Sequence, residues 1–424
     1  MQVSIETTTG LGRRMTVQIP AEKLDQQVQS RLQQLTRTVK LDGFRPGKVP
    51  LSVVRKRFGD QVRQEATGEL IASSYEEALQ QENLKPASRP SIEQTSNRPG
   101  HELEYVATFE IFPEIEPPEV SDISIERLSA EITDADVDTM LEKLRRQRAT
   151  WNPVERAAQI GDRIEIDFEG SIDGQPFTGN TASQVPLELG SKAMIPGFEE
   201  QLTGVEAGDS RTIEVTFPED YKSAEVAGKT ASFDVKVRAV TAPELPEIDD
   251  DFARVFGVGE GGLEALRGEI RRNMERELNA TVKSRVKQQV FDALIEKASI
   301  EVPTSLVDGE IDELVKKNAS GADAGADRSR YEGEARRRVT LGLLIAEIIQ
   351  RNQLQVDPQR VRQTIEDLAQ SYEKPEEVVQ WYYSNQDMLA GVQTLIMEET
   401  VVEWVSRQAK ISEKSVGFSD IMQA

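Results

Sequence analysis

The period of the hydrophobic pattern changes repeatedly along the chain, and each change marks a new element. Val3 and Ile5 alternate with polar neighbours, as do Met15, Val17 and Ile19, predicting two strands, 1–7 and 11–19, around Thr9-Gly10. Leu24, Val28, Leu32, Leu35 and Val39 then recur at three- and four-residue steps, the stripe of a helix opened by Pro20-Ala21. A second helical phase begins near Leu51 and passes Phe58. A third runs from about Gln64 to Glu82 with Leu70, Ile71, Tyr75, Ala78 and Leu79. Leu103, Tyr105, Ala107 and Phe109 restore the two-residue period over 101–112. Residues 1–112 therefore read as one α+β domain.

Residues 113–149 read as a connector. Pro113, Pro117 and Pro118 favour extended chain, and 123–130 reads as a strand. Thr133 and Asp136 have the spacing of a capping box ahead of a helix carrying Met140, Leu141 and Leu144. Residues 150–243 change to short strands at 163–170, 185–189, 212–217 and 232–240. A turn at Ile172-Asp173-Gly174-Gln175 and a short helix within 195–202 separate them. Pro243, Pro246 and the acidic run Asp249–Asp251 mark a boundary, and from Leu263 onward the period is helical. Nine apolar positions from Leu263 to Leu294 predict one helix of roughly 48 Å at about 1.5 Å per residue. Pro303 opens another helix, and the Gly/Ala/Asp-rich 319–327 reads as a mobile tip. Further helices are expected over 331–351, 357–369, 375–383 and 387–410.

Composition removes whole classes of chemistry. The 424 residues include no cysteine and one histidine, His101, which excludes disulfides, thiolate sites and cysteine nucleophiles and leaves no histidine cluster for a metal. No cofactor is expected, and no GxxxxGK[ST] phosphate loop is present. No secretory signal opens the chain and no apolar run reaches membrane length, so a cytoplasmic setting without membrane contact is expected. The net charge of -23 disfavours general nucleic-acid binding. Residues 1–60 depart from it, with 11 Lys/Arg against 5 Asp/Glu.

That local positive balance surrounds Gly43-Phe44-Arg45-Pro46-Gly47-Lys48-Val49-Pro50. Two glycines and two prolines exclude a helix interior or central strand, so Phe44, Arg45 and Lys48 are presented on a tip, with Arg55, Lys56 and Arg57 following. An ordinary loop with a buried Phe44 is the plainer alternative. The stretch resembles the signature loop of the bacterial trigger factor family of ribosome-associated chaperones. The resemblance implies ribosome binding by Phe44 and Arg45 beside the polypeptide exit tunnel, against ribosomal protein and ribosomal RNA. The family's lysine directly after this pair is Pro46 here, with Lys48 two positions on.

The middle segment resembles FK506-binding-protein-type (FKBP) peptidyl-prolyl isomerases at Phe168-Glu169-Gly170, Leu189-Gly190, Ile195-Pro196-Gly197-Phe198-Glu199, Phe217-Pro218-Glu219-Asp220-Tyr221 and Phe233-Asp234-Val235. The resemblance implies an apolar catalytic pocket lined by Phe168, Phe177, Met194, Ile195, Phe198, Tyr221 and Phe233. Thr178 stands where small inhibitor-binding members carry aspartate, and Phe198 where they carry tryptophan. The plainer alternative makes these aromatics the core of a small antiparallel domain.

The expected fold is therefore multidomain α+β: a ribosome-binding domain (1–112), a connector (113–149) packing with the C-terminal body, an FKBP-like antiparallel domain with a short helix (150–243), and an elongated all-α chaperone domain with arms (244–424). The expected function is ATP-independent chaperoning of nascent and unfolded polypeptides at the ribosomal exit, with X-Pro isomerisation. Self-association of the free protein is a further expectation. A ribosome-independent isomerase and a non-catalytic protein-binding scaffold are the alternatives.

Overall fold

The computed structural model describes all residues except 43, 45–46, 97–100, 222, 224, 319–327, 371 and 424. It divides into two compact units, Met1–Arg127 with Ser284–Glu413, and Leu128–Lys283 with Lys414–Ala424.

The first unit begins with β1 (Gln2–Thr7) and β2 (Gly12–Ile19), followed by α1 (Ala21–Thr38) and α2 (Leu51–Gln81). β3 (Ser91–Ser96) and β4 (Leu103–Glu110) complete an antiparallel sheet ordered β1-β2-β4-β3. Register places Met15 opposite Ala107, Val17 opposite Tyr105 and Ile19 opposite Leu103. These six side chains are fully buried with Leu24, Ala66, Ile71 and Ala78 from the two helices. α2 is one helix of 31 residues where two phases were expected. No proline interrupts 51–81, and Gly59 and Gly68 cost only about 1 kcal/mol each relative to alanine in a helix interior, too little to end it. β3 was not anticipated, because Ser91–Ser96 is almost wholly exposed and carries no buried alternation.

The second unit centres on β10 (Thr230–Glu244). One edge of β10 pairs with β7 (Arg163–Ser171), which pairs with β8 (Thr181–Glu188). The other edge pairs with β9 (Ser210–Thr216) and then with β6 (Thr150–Pro153). β8 starts four residues before the expected 185. A register shift between Ile166 and Phe168, with Gln184 at φ 55°, breaks the alternation there. Asp167 braces the irregularity by accepting the Gln184 N–H at 2.9 Å and pairing with Arg238 at 2.8 Å. Ile172 and Gln175 bridge across Asp173 (φ 51°) and Gly174 (φ 78°), the left-handed pair of a tight hairpin turn. α4 (Phe198–Gln201) supplies the short helix.

β5 (Ser124–Ser129) precedes α3 (Asp134–Gln147), which begins with the capping box: Thr133 N–H donates to Asp136 Oδ2 at 2.9 Å, and Asp136 N–H to Thr133 Oγ1 at 3.3 Å. Val137 and Leu141 share a core with Phe252 of α5 (Asp250–Val255), with Leu266, Ile270 and Met274 of α6 (Gly262–Lys297), and with Ile421.

The remaining helices return to the first unit. They are α7 (Thr304–Asn318), α8 (Ser329–Asn352), α9 (Pro358–Ala369), α10 (Pro375–Ser384) and α11 (Gln386–Gln408). Val290 and Leu294 of α6 pack with Leu344 and Ile348 of α8, Val401 and Val405 of α11, and Ile123 and Ile125. The expected tip at 319–327 lies outside the described residues. α11 stops at Gln408 rather than 410. The chain turns extended at Ala409 into β11 (Lys410–Ser415), which pairs with β5, and α12 (Phe418–Gln423) follows. All six β11 residues are exposed, so no hydrophobic alternation announces the strand. No helix among the described residues is long and apolar enough to cross a membrane.

Glu110, at the end of β4, caps α7 from 194 residues away in sequence. Its carboxylate accepts Thr304 N–H (3.2 Å), Thr304 Oγ1–H (2.7 Å), Ser305 N–H (2.8 Å) and Ser305 Oγ–H (2.5 Å). Partial burial pushes its pKa up, and these four donors outweigh that and hold it below the usual Glu value. Glu110→Gln is expected to cost roughly 1–2 kcal/mol, in line with a lost helix cap. Amide exchange in the first turn of α7 measures it. Because the folded carboxyl titrates below its unfolded value, the contribution is complete above the ordinary Glu range and disappears as pH falls through the folded value.

Candidate functional site

Strand register brings one aromatic into the middle of the second unit. Phe233 lies on β10 opposite Gly170 on β7 and Ile213 on β9. Its ring meets Phe198 (centroids 5.4 Å apart), Phe168 (5.8 Å), Phe177 (6.1 Å) and Phe217 (6.4 Å), the first three edge-on. Phe217 passes the contact outward to Tyr221 at 4.9 Å. Edge-to-face pairs add about 0.5–1.5 kcal/mol each beyond burial, so the rings hold one another at defined angles.

These rings enclose an open cavity of about 500 Å³. All seven side chains singled out in the sequence, Phe168, Phe177, Met194, Ile195, Phe198, Tyr221 and Phe233, line it. Phe198 and Phe233 are buried, Phe168, Phe177, Met194 and Ile195 half-buried, and Tyr221 exposed at the rim. Phe217 and Pro218, which in the sequence stand only within a motif, also line the cavity, as do Thr178, Ala193, Ser223 and Val226. Phe217 was detectable, since it ends the β9 alternation that also buries Ile213 and Val215. Among the described residues, no charged side chain lines the space.

Gly170 makes room for this arrangement. A Cβ there would lie 2.6 Å from Phe233 Cε1 and 3.1 Å from Phe177 Cζ, closer than side chains pack. Acidic side chains of this domain are neutralised by their own local partners. Asp162 is buried, accepts the Gln159 N–H at 2.8 Å and pairs with Arg156 at 2.6 Å. Burial pushes the Asp162 carboxyl up, and its partners outweigh that and keep it below its ordinary value. The cavity can thus take an apolar ring and its amide without meeting a formal charge.

In the first unit, the chain between α1 and α2 presents Phe44 with 40 % of its surface exposed, while nearby Val49 is buried with Leu32, Val54 and Val62. The buried-loop alternative for Phe44 does not hold. Lys48, Arg55, Lys56 and Arg57 are exposed. Arg45 lies outside the described residues.

Comparison with known proteins agrees across the whole chain. Residues 1–144 match the family model of bacterial trigger factor protein (TF), 262–407 that of its C-terminus, and 154–238 that of FKBP-type peptidyl-prolyl cis-trans isomerase. The trigger factor of Alkalilimnicola ehrlichii is 50% identical, covering 100% of this chain and 95% of the relative. The chain belongs to the bacterial trigger factor family. The trigger factor of Stutzerimonas stutzeri is 48% identical over 100% of this chain and 98% of its own. A solved structure of the trigger factor chaperone shares the fold, with a TM-score of 0.51, 20% identity, and coverage of 96% of this chain and 99% of that one. The expected multidomain α+β fold is that of the trigger factor family, and the segment holding the cavity is its FKBP-type peptidyl-prolyl isomerase domain.

Gly170→Ala tests the packing around the cavity. Overpacking of this kind costs about 1–3 kcal/mol and forces the Phe233 and Phe177 rings to shift. Turnover of an X-Pro peptide is expected to fall about tenfold as the shifted rings misplace the cavity wall, measured by coupled proteolysis with a thermal scan of the same sample.

Proposed function

We propose that this trigger factor family member is an ATP-independent chaperone that docks on the ribosome beside the tunnel exit through Phe44, Arg45 and Lys48, receives nascent polypeptides there, and isomerises their X-Pro bonds in the cavity around Phe233. The observation that carries docking is the exposed Phe44, set beside exposed Lys48, Arg55, Lys56 and Arg57 on an otherwise acidic chain. Cations at such a tip neutralise phosphate, and an aromatic ring adds an apolar contact or a stacking face.

Isomerisation needs no nucleophile. Rotation about the amide C–N bond meets a barrier of about 18–20 kcal/mol because resonance is lost on twisting. The twisted amide is less dipolar than the planar one, so an uncharged aromatic cavity favours it over the ground state. Phe168, Phe177, Phe198 and Phe233 grip the proline ring, Met194 and Ile195 flank the rotating amide, and Tyr221 at the rim meets the substrate backbone. A hydrogen bond from Tyr221 or a loop N–H holds the carbonyl as it turns.

Chaperoning draws on another surface. α9, α10, α11 and the link between the first two leave Leu368, Tyr372 (60 % exposed), Trp381 (51 %), Tyr383 and Leu395 uncovered. Scattered apolar groups of this kind accept varied unfolded segments, because apolar contact is non-directional.

Replacing Phe44, Arg45 and Lys48 together with alanine is expected to weaken ribosome co-sedimentation at fixed salt by at least about tenfold, in keeping with lost aromatic and cationic anchors, with isomerase turnover unchanged. Full pelleting of the triple variant would refute the tip. The two client activities should also separate. Phe177→Ala lowers turnover of a proline-limited refolding substrate and leaves suppression of aggregation intact, while Trp381→Ser together with Tyr383→Ser does the reverse. Joint loss in both variants would show that one surface serves both activities.

A further inference from the structure

Phe198 is followed by Glu199, a carboxylate 5 % exposed that plays no part in the chemistry above. It gathers the loop between β8 and α4. Gly190 N–H and Lys192 N–H donate to Glu199 Oε2 at 2.8 and 3.0 Å, and Met194 N–H and Ser191 Oγ–H donate to Oε1, each at 3.2 Å. Ser191 Oγ in turn accepts the Ala193 N–H at 3.3 Å. Every residue from 190 to 194 is thus tied, directly or through Ser191, to one side chain.

The loop needs such a tie. Gly190 (φ 91°) and Lys192 (φ 59°) are both left-handed, and a lysine keeps that conformation only where its surroundings hold it. The loop ends in Ala193, Met194 and Ile195, which line the cavity. Burial pushes the Glu199 carboxyl up, and its four donors outweigh that and hold it below the usual range, so the side chain is ionised and accepts at both oxygens.

We propose that Glu199 is a positioning residue for the isomerase: its carboxylate sets the 190–194 backbone, and thereby holds Ala193, Met194 and Ile195 as a fixed wall facing the aromatic side of the cavity. This rests on the cavity being the isomerase site. A wall fixed in advance favours the twisted amide without reorganising as it forms, so its loss lowers kcat more than it raises KM.

The experiment compares Glu199→Gln with the unmodified full chain, using kcat and KM on an X-Pro peptide well below the unfolding temperature, together with amide exchange at single residues. Glutamine keeps the shape but replaces one acceptor oxygen with a donor. The expected result is a kcat about tenfold lower, a KM within about twofold, and faster exchange at Gly190, Lys192 and Met194. Val235 and Val237 in β10 should keep their protection. Ser191→Ala, at an exposed position, is the milder variant should Glu199→Gln fail to fold. It removes one donor and the Ala193 acceptor, and is expected to lower kcat about two- to threefold. Faster loop exchange at unchanged kcat would overturn the proposal, leaving Glu199 a brace for the fold alone, and unchanged exchange would overturn it as well. Phe177→Ala assayed beside them separates the two readings. If it retains full turnover, the cavity assignment has failed. If it loses turnover while the Glu199 and Ser191 variants do not, only the positioning role has failed.

Discussion

The isomerase unit depends on one side chain having no neighbour where strand pairing would put one. Gly170 sits opposite Phe233, and the missing Cβ lets that ring lie across β7 and meet four other rings. Any larger residue at 170 would push Phe233 and Phe177 apart and alter the cavity. β10 makes the constraint possible, because it pairs with β7 along one edge and with β9 and β6 along the other, so Phe233 cannot relax by shifting its strand. Packing and site are one arrangement here: the rings that bury the domain's apolar surface also line its cavity.

The chain carries many acidic groups, yet among the described residues none lines that cavity. Asp162, Asp167 and Glu199 of the same domain all spend their charge on local partners: Arg156, Arg238 and backbone N–H groups. Each is held below its ordinary pKa by those partners, so the charges stay in place and outside the space the amide would occupy. The first unit uses the opposite tactic at its tip, where Lys48, Arg55, Lys56 and Arg57 remain exposed. A neutral site favours a less dipolar transition state, and a cationic site attracts an anion. Both coexist in one acidic protein because charge is arranged locally.

Legibility in the sequence followed burial. Strands half-buried on one face, such as β2, β4 and β7, show their alternation and were found. β3 and β11 are exposed on nearly every residue and left no period to read. β8 was shortened because Gln184 and the register shift beside Asp167 break its two-residue repeat. α2 was divided because its glycines dilute the stripe, while the absence of proline decides the outcome. The seven cavity residues were named through resemblance rather than pattern, since a ring in a core and a ring in a pocket share one periodicity. Phe217, Pro218 and Val226 also line the cavity; the alternation of β9 marks Phe217 as buried, but only the folded geometry separates a lining residue from ordinary core.

Two glutamates show why such geometry escapes sequence reading. Glu110 and Glu199 each hold four N–H or O–H donors and are each kept below the usual Glu pKa by them. In sequence both look like ordinary solvated charges. Their partners make them different: Glu110 reaches 194 residues to the start of a helix whose remaining backbone groups bond one another. Losing that brace frays a helix end and leaves the helix. Glu199 reaches back five to nine residues to a loop with no repeating hydrogen bonds of its own and with Lys192 in a left-handed conformation. Losing this brace removes most of the hydrogen bonds that hold the segment. The same four bonds therefore carry more structural consequence at Glu199, and they carry it one residue from Phe198, beside the wall of the cavity.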